Sequence, residues 1–268
     1  MKKLIFIILL SFNYLCFAQE NHQIINSDIH SKITQAYSIN NYDLVVKLYE
    51  SYFPQIDFNN EETSYQYISS KINTHNVDKS YSNIELYIDL YNGRYLKNLL
   101  YEYGKFNFNK NNYKIAIKYL SRISDKNDDN ISYILGISHF NNKSYKTAYD
   151  YLKNITNENF IDNTNFSLGV ISYSLNNLDE SISYFKKINN SNYRNKTLQY
   201  EISINFLKNK YNDVIKLKEH INQKVENLNY SIYYIAKSYF HLEEYDNALK
   251  YYNKLNSSID RENEIKFS

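Results

Sequence analysis

The sequence predicts an all-α fold, a solenoid of about seven stacked antiparallel helix pairs. Three observations carry that prediction. A short pattern returns every 32 to 34 residues over the second half of the chain. Apolar residues inside it follow the 3.6-residue period of a helix. The 268 residues include only four glycines and one proline. A β sandwich or a doubly wound fold of this length needs many more turn-forming residues. Helices joined by short asparagine-rich turns do not.

In chain order, residues 1–18 read as a secretory signal. Lys2 and Lys3 supply the positive start, Leu4 to Leu10 are unbroken apolar, and Cys16 and Ala18 place small residues at −3 and −1 of a cut before Gln19. The apolar stretch is too short for a membrane span. Asn13, Tyr14 and Leu15 precede Cys16, so the small residues of a lipoprotein signal are missing. Removing the signal takes Lys2 and Lys3 with it and leaves 29 basic residues against 29 acidic ones. A mature chain of zero net charge argues against nucleic acid and against charge-driven binding to an anionic membrane. The single cysteine also leaves, so no disulfide, thiolate nucleophile or cysteine metal site is expected. The expectation is an exported protein with no integral span after signal removal.

Residues 19–96 read as two degenerate units. Tyr42-Asp-Leu-Val45, with Tyr49 and Tyr52, forms the second helix of one; Pro54 follows where that helix should stop. Val77, Ser80, Ile84 and Tyr87 form the other, with leading-residue spacings of 35 and 36 to either side.

Residues 97–258 hold five firm units. Their second helices run Tyr113 to Ile123, Tyr145 to Ile155, Leu178 to Ile188, Tyr211 to Ile221 and Tyr245 to Leu255. Tyr113, Ala116, Ile117, Leu120 and Ile123 lie at i, i+3, i+4, i+7 and i+10, one helical face. Nine residues before each leading residue stands Gly104, Gly136, Gly169, Ile202 or Ala236, so three of the four glycines occupy one slot. Glycine costs about 1 kcal/mol inside a helix, and a close helix crossing is the reason to keep it. The facing slot holds Ala116, Ala148, Ser181, Val214 and Ala248, small for the same reason, and Ile123, Ile155, Ile188, Ile221 and Leu255 form an aliphatic row for the next unit. Gly93 lies outside this register. Residues 259–268 read as the start of a further helix or a truncated end, too short to cap an apolar solenoid face.

Tyr133…Leu135-Gly136…Phe140…Tyr145…Ala148…Leu152…Ile155 carries the resemblance: the chain resembles the tetratricopeptide repeat family over about residues 97–256. That resemblance implies a right-handed superhelix whose first helices line a concave face and bind protein segments. The signal ending Phe-Ala-Gln and the abundance of Asn, Lys, Ile and Tyr resemble long cell-envelope repeat proteins of the Bacteroidetes, a likeness that transfers no residue-level role.

No catalytic constellation is visible. His22, His30, His75, His139, His220 and His241 have no metal-ligand spacing, and the scattered glycines form no phosphate-cradling loop. The expectation is a protein that is not an enzyme, with no cofactor and no metal. The first helices carry the candidate partner-binding residues: Tyr101, Lys105, Phe108, Tyr133, Ile137, Phe140, Phe166, Tyr173, Phe206, Tyr233, Lys237 and Phe240. Two readings stay open for these rings. They pack first helices on their neighbours, or they remain exposed as a groove for an extended peptide or an amphipathic helix. Some members of the family grip a terminal carboxylate with Lys, Arg and Asn on this face; here Lys105, Ile137, Val170, Ser203 and Lys237 make no such clamp. The expected function is an interaction scaffold in the bacterial cell envelope, in the periplasm or at the outer membrane, with secretion as the alternative, and with a protein or peptide partner. A periplasmic sensor portion of a signalling protein and a glycan-binding module are the alternatives.

Overall fold

The structure is a computed structural model and describes residues 27–53, 59–75, 81–124, 128–221 and 228–255. Every regular element among the described residues is helical, and the fold is an all-α solenoid. The chain divides into two compact units, Met1–Ser124 and Asp125–Ser268. The first contains α1 (27–38), α2 (Tyr42–Tyr52), α3 (Glu61–Asn73), α4 (Tyr81–Leu90), α5 (Arg94–Asn109) and α6 (Tyr113–Leu120). The second contains α7 (Asp129–Asn141), α8 (Tyr145–Leu152), α9 (Glu158–Ser174), α10 (Leu178–Lys186), α11 (Arg194–Leu207), α12 (Tyr211–Leu217), α13 (Leu228–His241) and α14 (Tyr245–Tyr252).

Within the first unit α3 packs on α2, α4 and α5, and α5 packs along α6. Within the second, each odd-numbered helix packs along the helix that follows it, α9 rests on α7 and α8, α11 on α9 and α10, and α13 on α11 and α12. The signal segment, Pro54, Val77, Ser80 and residues 259–268 lie outside the described residues. Ile84 and Tyr87 of the second degenerate unit are buried on α4 as its register requires.

One turn geometry recurs at every pair. Asn40, His75, Asn111, Lys143, Asn176, Asn209 and Glu243 all adopt φ between 56° and 64°, each two residues before the leading position of a second helix. In the third pair the amide of Asn111 donates to the Phe108 carbonyl at 2.9 Å and that of Asn112 to Asn107 at 2.8 Å. That is a Schellman ending, and it satisfies carbonyls the helix terminus would otherwise orphan. Asparagine tolerates the left-handed region better than most residues and supplies four of these seven turns; His75, Lys143 and Glu243 make the others. The leading tyrosine closes the turn: Tyr42, Tyr113 and Tyr211 donate through Oη to Oδ1 of Asn40, Asn111 and Asn209 at 2.9, 2.7 and 2.9 Å.

The glycine slot behaves as the register predicts, with one refinement. A Cβ on Gly104 would lie 2.7 Å from Leu120 Cδ2, on Gly136 2.5 Å from Leu152 Cδ2, and on Gly169 2.6 Å from Phe185 Cδ1. The glycine therefore makes room for a large side chain seven residues past the leading position, as well as for the facing small residue. Ser181 Oγ donates to the Gly169 carbonyl at 2.7 Å, a direct measure of how near the two helices come. Where the slot holds Ile202, the large partner is replaced by Lys218 at the start of a short 3₁₀ turn. The aliphatic row falls outside the helices: α6 ends at Leu120 and α8 at Leu152, so Ile123 and Ile155 are buried from the turns that follow. Second helices of seven to nine residues are too short to carry the i+10 position. Gly93 is the N-cap of α5, which explains its place outside the repeat.

Candidate protein-binding surface

First helices carry the candidate residues, and the structure separates them into three groups. Two lysines lie over tyrosines of their own helix. Lys105 is exposed, with Nζ 5.7 Å from the Tyr101 ring centroid, and Lys237 is half-buried, with Nζ 4.9 Å from that of Tyr233. Both pairs are spaced i, i+4 and occupy the same two slots of the repeat, one pair in each compact unit. A lysine held over a ring face gains about 0.5–1 kcal/mol at a wet site and keeps both a cation and an aromatic edge at the surface.

The second group packs. Tyr133 is half-buried; its ring stacks on Phe160 of the following pair at 4.1 Å and 8° between planes. Asn163 Nδ2 donates to its Oη at 2.5 Å, and burial raises the phenol above its ordinary value. Ile137 is buried. Phe140, Phe166 and Tyr173 pack around Val170, Phe185 and Ile204, and Tyr173 meets Tyr200 edge-on at 5.3 Å. Phe206 lies 4.8 Å from Tyr234. Phe108 turns edge-on to Tyr113 at 6.0 Å. For these rings the packing reading describes the geometry: a following helix covers them. The third group is one residue, Phe240, which is exposed.

A polar network in the first unit escaped the sequence reading. Tyr65 Oη and Ser69 Oγ donate to the two carboxylate oxygens of Glu102 at 2.7 and 2.5 Å, and Tyr37 Oη lies 2.9 Å from Ser69 Oγ. The chain laces α1, α3 and α5 together. Burial raises the Glu102 carboxyl above its usual range, and the two donated hydrogen bonds pull it partly back. Its signal was a carboxylate in the slot where the firm repeats carry Ile134, Ser167, Tyr200 and Tyr234.

Another missed device is a clasp repeated 33 residues apart. Asp129 Oδ2 accepts from the amides of Thr156 and Asn157 at 3.3 and 3.1 Å, and Asp162 accepts from Asn189 and Asn190 at 3.0 and 3.2 Å. Each aspartate in the first half of a first helix ties down the loop that enters the next pair.

Three histidines serve as flat rings. His30 stacks on Phe53, His139 on Tyr151 and His241 on Tyr211. Among the described residues no group of three or more His, Cys, Asp and Glu side chains could hold a metal, and no helix is long and apolar enough to cross a membrane.

Comparison with known proteins adds to this geometry. No curated protein matches the chain. Residues 109–188 match the family described as anaphase-promoting complex, cyclosome, subunit 3, and residues 230–258 match the tetratricopeptide repeat family. Among solved structures, a chain of the structure of Naa15/Naa10 bound to HypK-THB is similar, with a TM-score of 0.52 and 13% sequence identity over 85% of this chain. This chain spans 36% of that one, and the likeness is one of fold. Seven turns in one register, three glycine crossings and two matched segments together support a protein of the tetratricopeptide repeat family.

Proposed function

We propose that the chain is a non-enzymatic scaffold of the bacterial cell envelope that holds a peptide or protein segment along its first helices. The repeat family and the fold support a protein–protein interaction scaffold. The observation that carries the finer reading is the recurrence of the lysine-over-tyrosine pair, Tyr101 with Lys105 and Tyr233 with Lys237, in equivalent slots. Most neighbouring rings in these rows are packed, Phe240 excepted, and the two lysines remain partly exposed beside their tyrosines. Aromatic anchors beside a cation suit an extended segment with acidic or carbonyl groups.

A photo-crosslinking residue at position 105 or 237, compared with one at exposed Lys114 on α6, tests this in intact cells. A partner segment should be captured from 105, and one from 237, but none from 114. Capture from 114 alone, or equal capture from all three, removes the support. Export has its own measurement: the mature N-terminus should be Gln19 in the envelope fraction. A chain that retains Met1 and fractionates away from the envelope contradicts it.

A further inference from the structure

Phe206, Tyr211 and Ile215 of the pair α11/α12 are half-buried because the next pair covers them. Tyr234 of α13 lies 4.8 Å from Phe206, His241 lies 5.7 Å from it, and the His241 ring stacks on Tyr211 at 4.6 Å and 4°. One pair earlier, Tyr173, Leu178 and Ile182 are packed in the same way, with Tyr200 of α11 against Tyr173. The repeat places Phe240, Tyr245 and Leu249 in these three positions of the last described pair, α13/α14. There they are 56%, 57% and 60% exposed. Three large apolar side chains that the fold covers elsewhere form one open patch, with Phe240 and Tyr245 in edge contact at 5.5 Å.

The internal interfaces also state what fits such a patch. The covering helix brings a tyrosine over the first ring, Tyr200 or Tyr234, and at the α13 interface a second ring, His241, seven residues further on. At the junction of α10 with α11, Lys208, eight residues after Tyr200, pairs with Asp179. The residue equivalent to Asp179 in the last pair is Asp246, and exposed Glu243 and Glu244 stand beside it. The rim of the open patch is therefore acidic.

We propose that this face docks an amphipathic α-helix of a partner protein, seated as α13 is seated on α11 and α12. The helix carries an aromatic residue over Phe240, a second ring seven positions on over Tyr245, and a lysine one position later opposite Asp246. Phe240 lies three residues after Lys237 on α13, so the surface adjoins that pair; the Tyr101–Lys105 pair belongs to the other compact unit, and capture at position 105 tests the earlier proposal apart from this one. Its energy comes from apolar burial and ring stacking, as at the repeat interfaces, and the acidic rim selects a basic flank.

The covering helix of this chain supplies the probe. A fluorescent peptide of residues 228–242 with Leu242→Lys, titrated into the full chain and followed by anisotropy, should bind saturably. Phe240→Ser with Leu249→Ser should weaken binding about tenfold or more, and a melting curve close to wild type keeps that result interpretable because both positions are exposed. Asp246→Lys should weaken it less, and its loss should shrink at high salt. Tyr234→Ala within the peptide should weaken binding as the double serine variant does. Absence of saturable binding, or equal binding by the Phe240/Leu249 variant, overturns the proposal. Concentration-dependent self-association of the wild-type chain that the same variant abolishes also overturns it, by assigning the face to a second copy.

Discussion

Gly136→Leu tests the register of the whole array at one atom. A Cβ at this position stands 2.5 Å from Leu152 Cδ2, 2.6 Å from Leu152 Cγ and 3.3 Å from Tyr151 Cβ. Carbon atoms prefer about 3.5–4.0 Å, so even alanine overlaps Leu152 by about 1 Å. Leu152 is fully buried and cannot swing into solvent. Replacing a helical glycine returns about 1 kcal/mol of propensity, which offsets only part of that overlap, so Gly136→Ala should still destabilise, though less than leucine. Leucine adds three more carbons to the same space and should cost about 2–4 kcal/mol as overpacking. Urea titration of the full chain, followed by circular dichroism, reads that cost in the unit spanning Asp125–Ser268. The decisive arm is the double variant Gly136→Leu with Leu152→Ala. Leu152→Ala alone should cost about 2–5 kcal/mol by opening a cavity. If the two side chains compete for one space, the pair should cost less than the sum by about 1–3 kcal/mol. Additivity within about 0.5 kcal/mol would mean that the two residues do not meet, and the reasoning would fail. Gly93→Ala is the control. The atoms nearest its Cβ are the carboxyl end of the Glu61 side chain, and the loss of an N-cap glycine should cost about 1 kcal/mol or less.

Three further outcomes follow from single residues. Lys143→Gly should stabilise by up to about 1 kcal/mol, because φ of 60° strains a lysine; Asn111→Gly should gain less, since it also removes the hydrogen bond from Tyr113, and the two melts should differ in that order. Tyr133→Ala should lower stability by about 3 kcal/mol, as truncation of a ring stacked on Phe160 does; an unchanged melt would refute the packing reading for Tyr133. His139 is the pH probe: burial holds its imidazole below the ordinary 6.5, so the unfolded chain binds the proton more readily. Its contribution is complete above pH 6.5 and lost as pH falls from there through the lower folded value. His139→Phe should therefore flatten the decline in melting temperature between pH 7 and 5, and parallel profiles would refute it.

Much of the fold was legible before any coordinates. Glycine at 104, 136 and 169, faced by Ala116, Ala148 and Ser181, states a close crossing that only small residues permit, and the leading residues keep phase because each pair must stack on the last. Even the degenerate units kept it: His75 takes the left-handed turn two residues before Val77, as Asn111 does before Tyr113. The limits of the second helices were less legible. Ile123 continues the helical period although α6 stops at Leu120, because an apolar residue serves the core equally well from a turn.

The fate of the aromatic rows belonged to tertiary structure alone. Phe206 and Phe240 share a slot and a residue type, and nothing in their local sequence separates them. One is covered because α13 lies across it, and the other, in the last described pair, is exposed. Exposure is a property of neighbours, whereas helical phase is a property of the chain. The same distinction hid the Glu102 network, whose donors Tyr65 and Ser69 come from another helix more than thirty residues away. Local periodicity determined the helices and their register; which side chains a partner can reach was decided only when the pairs stacked, because burial depends on what lies across each face.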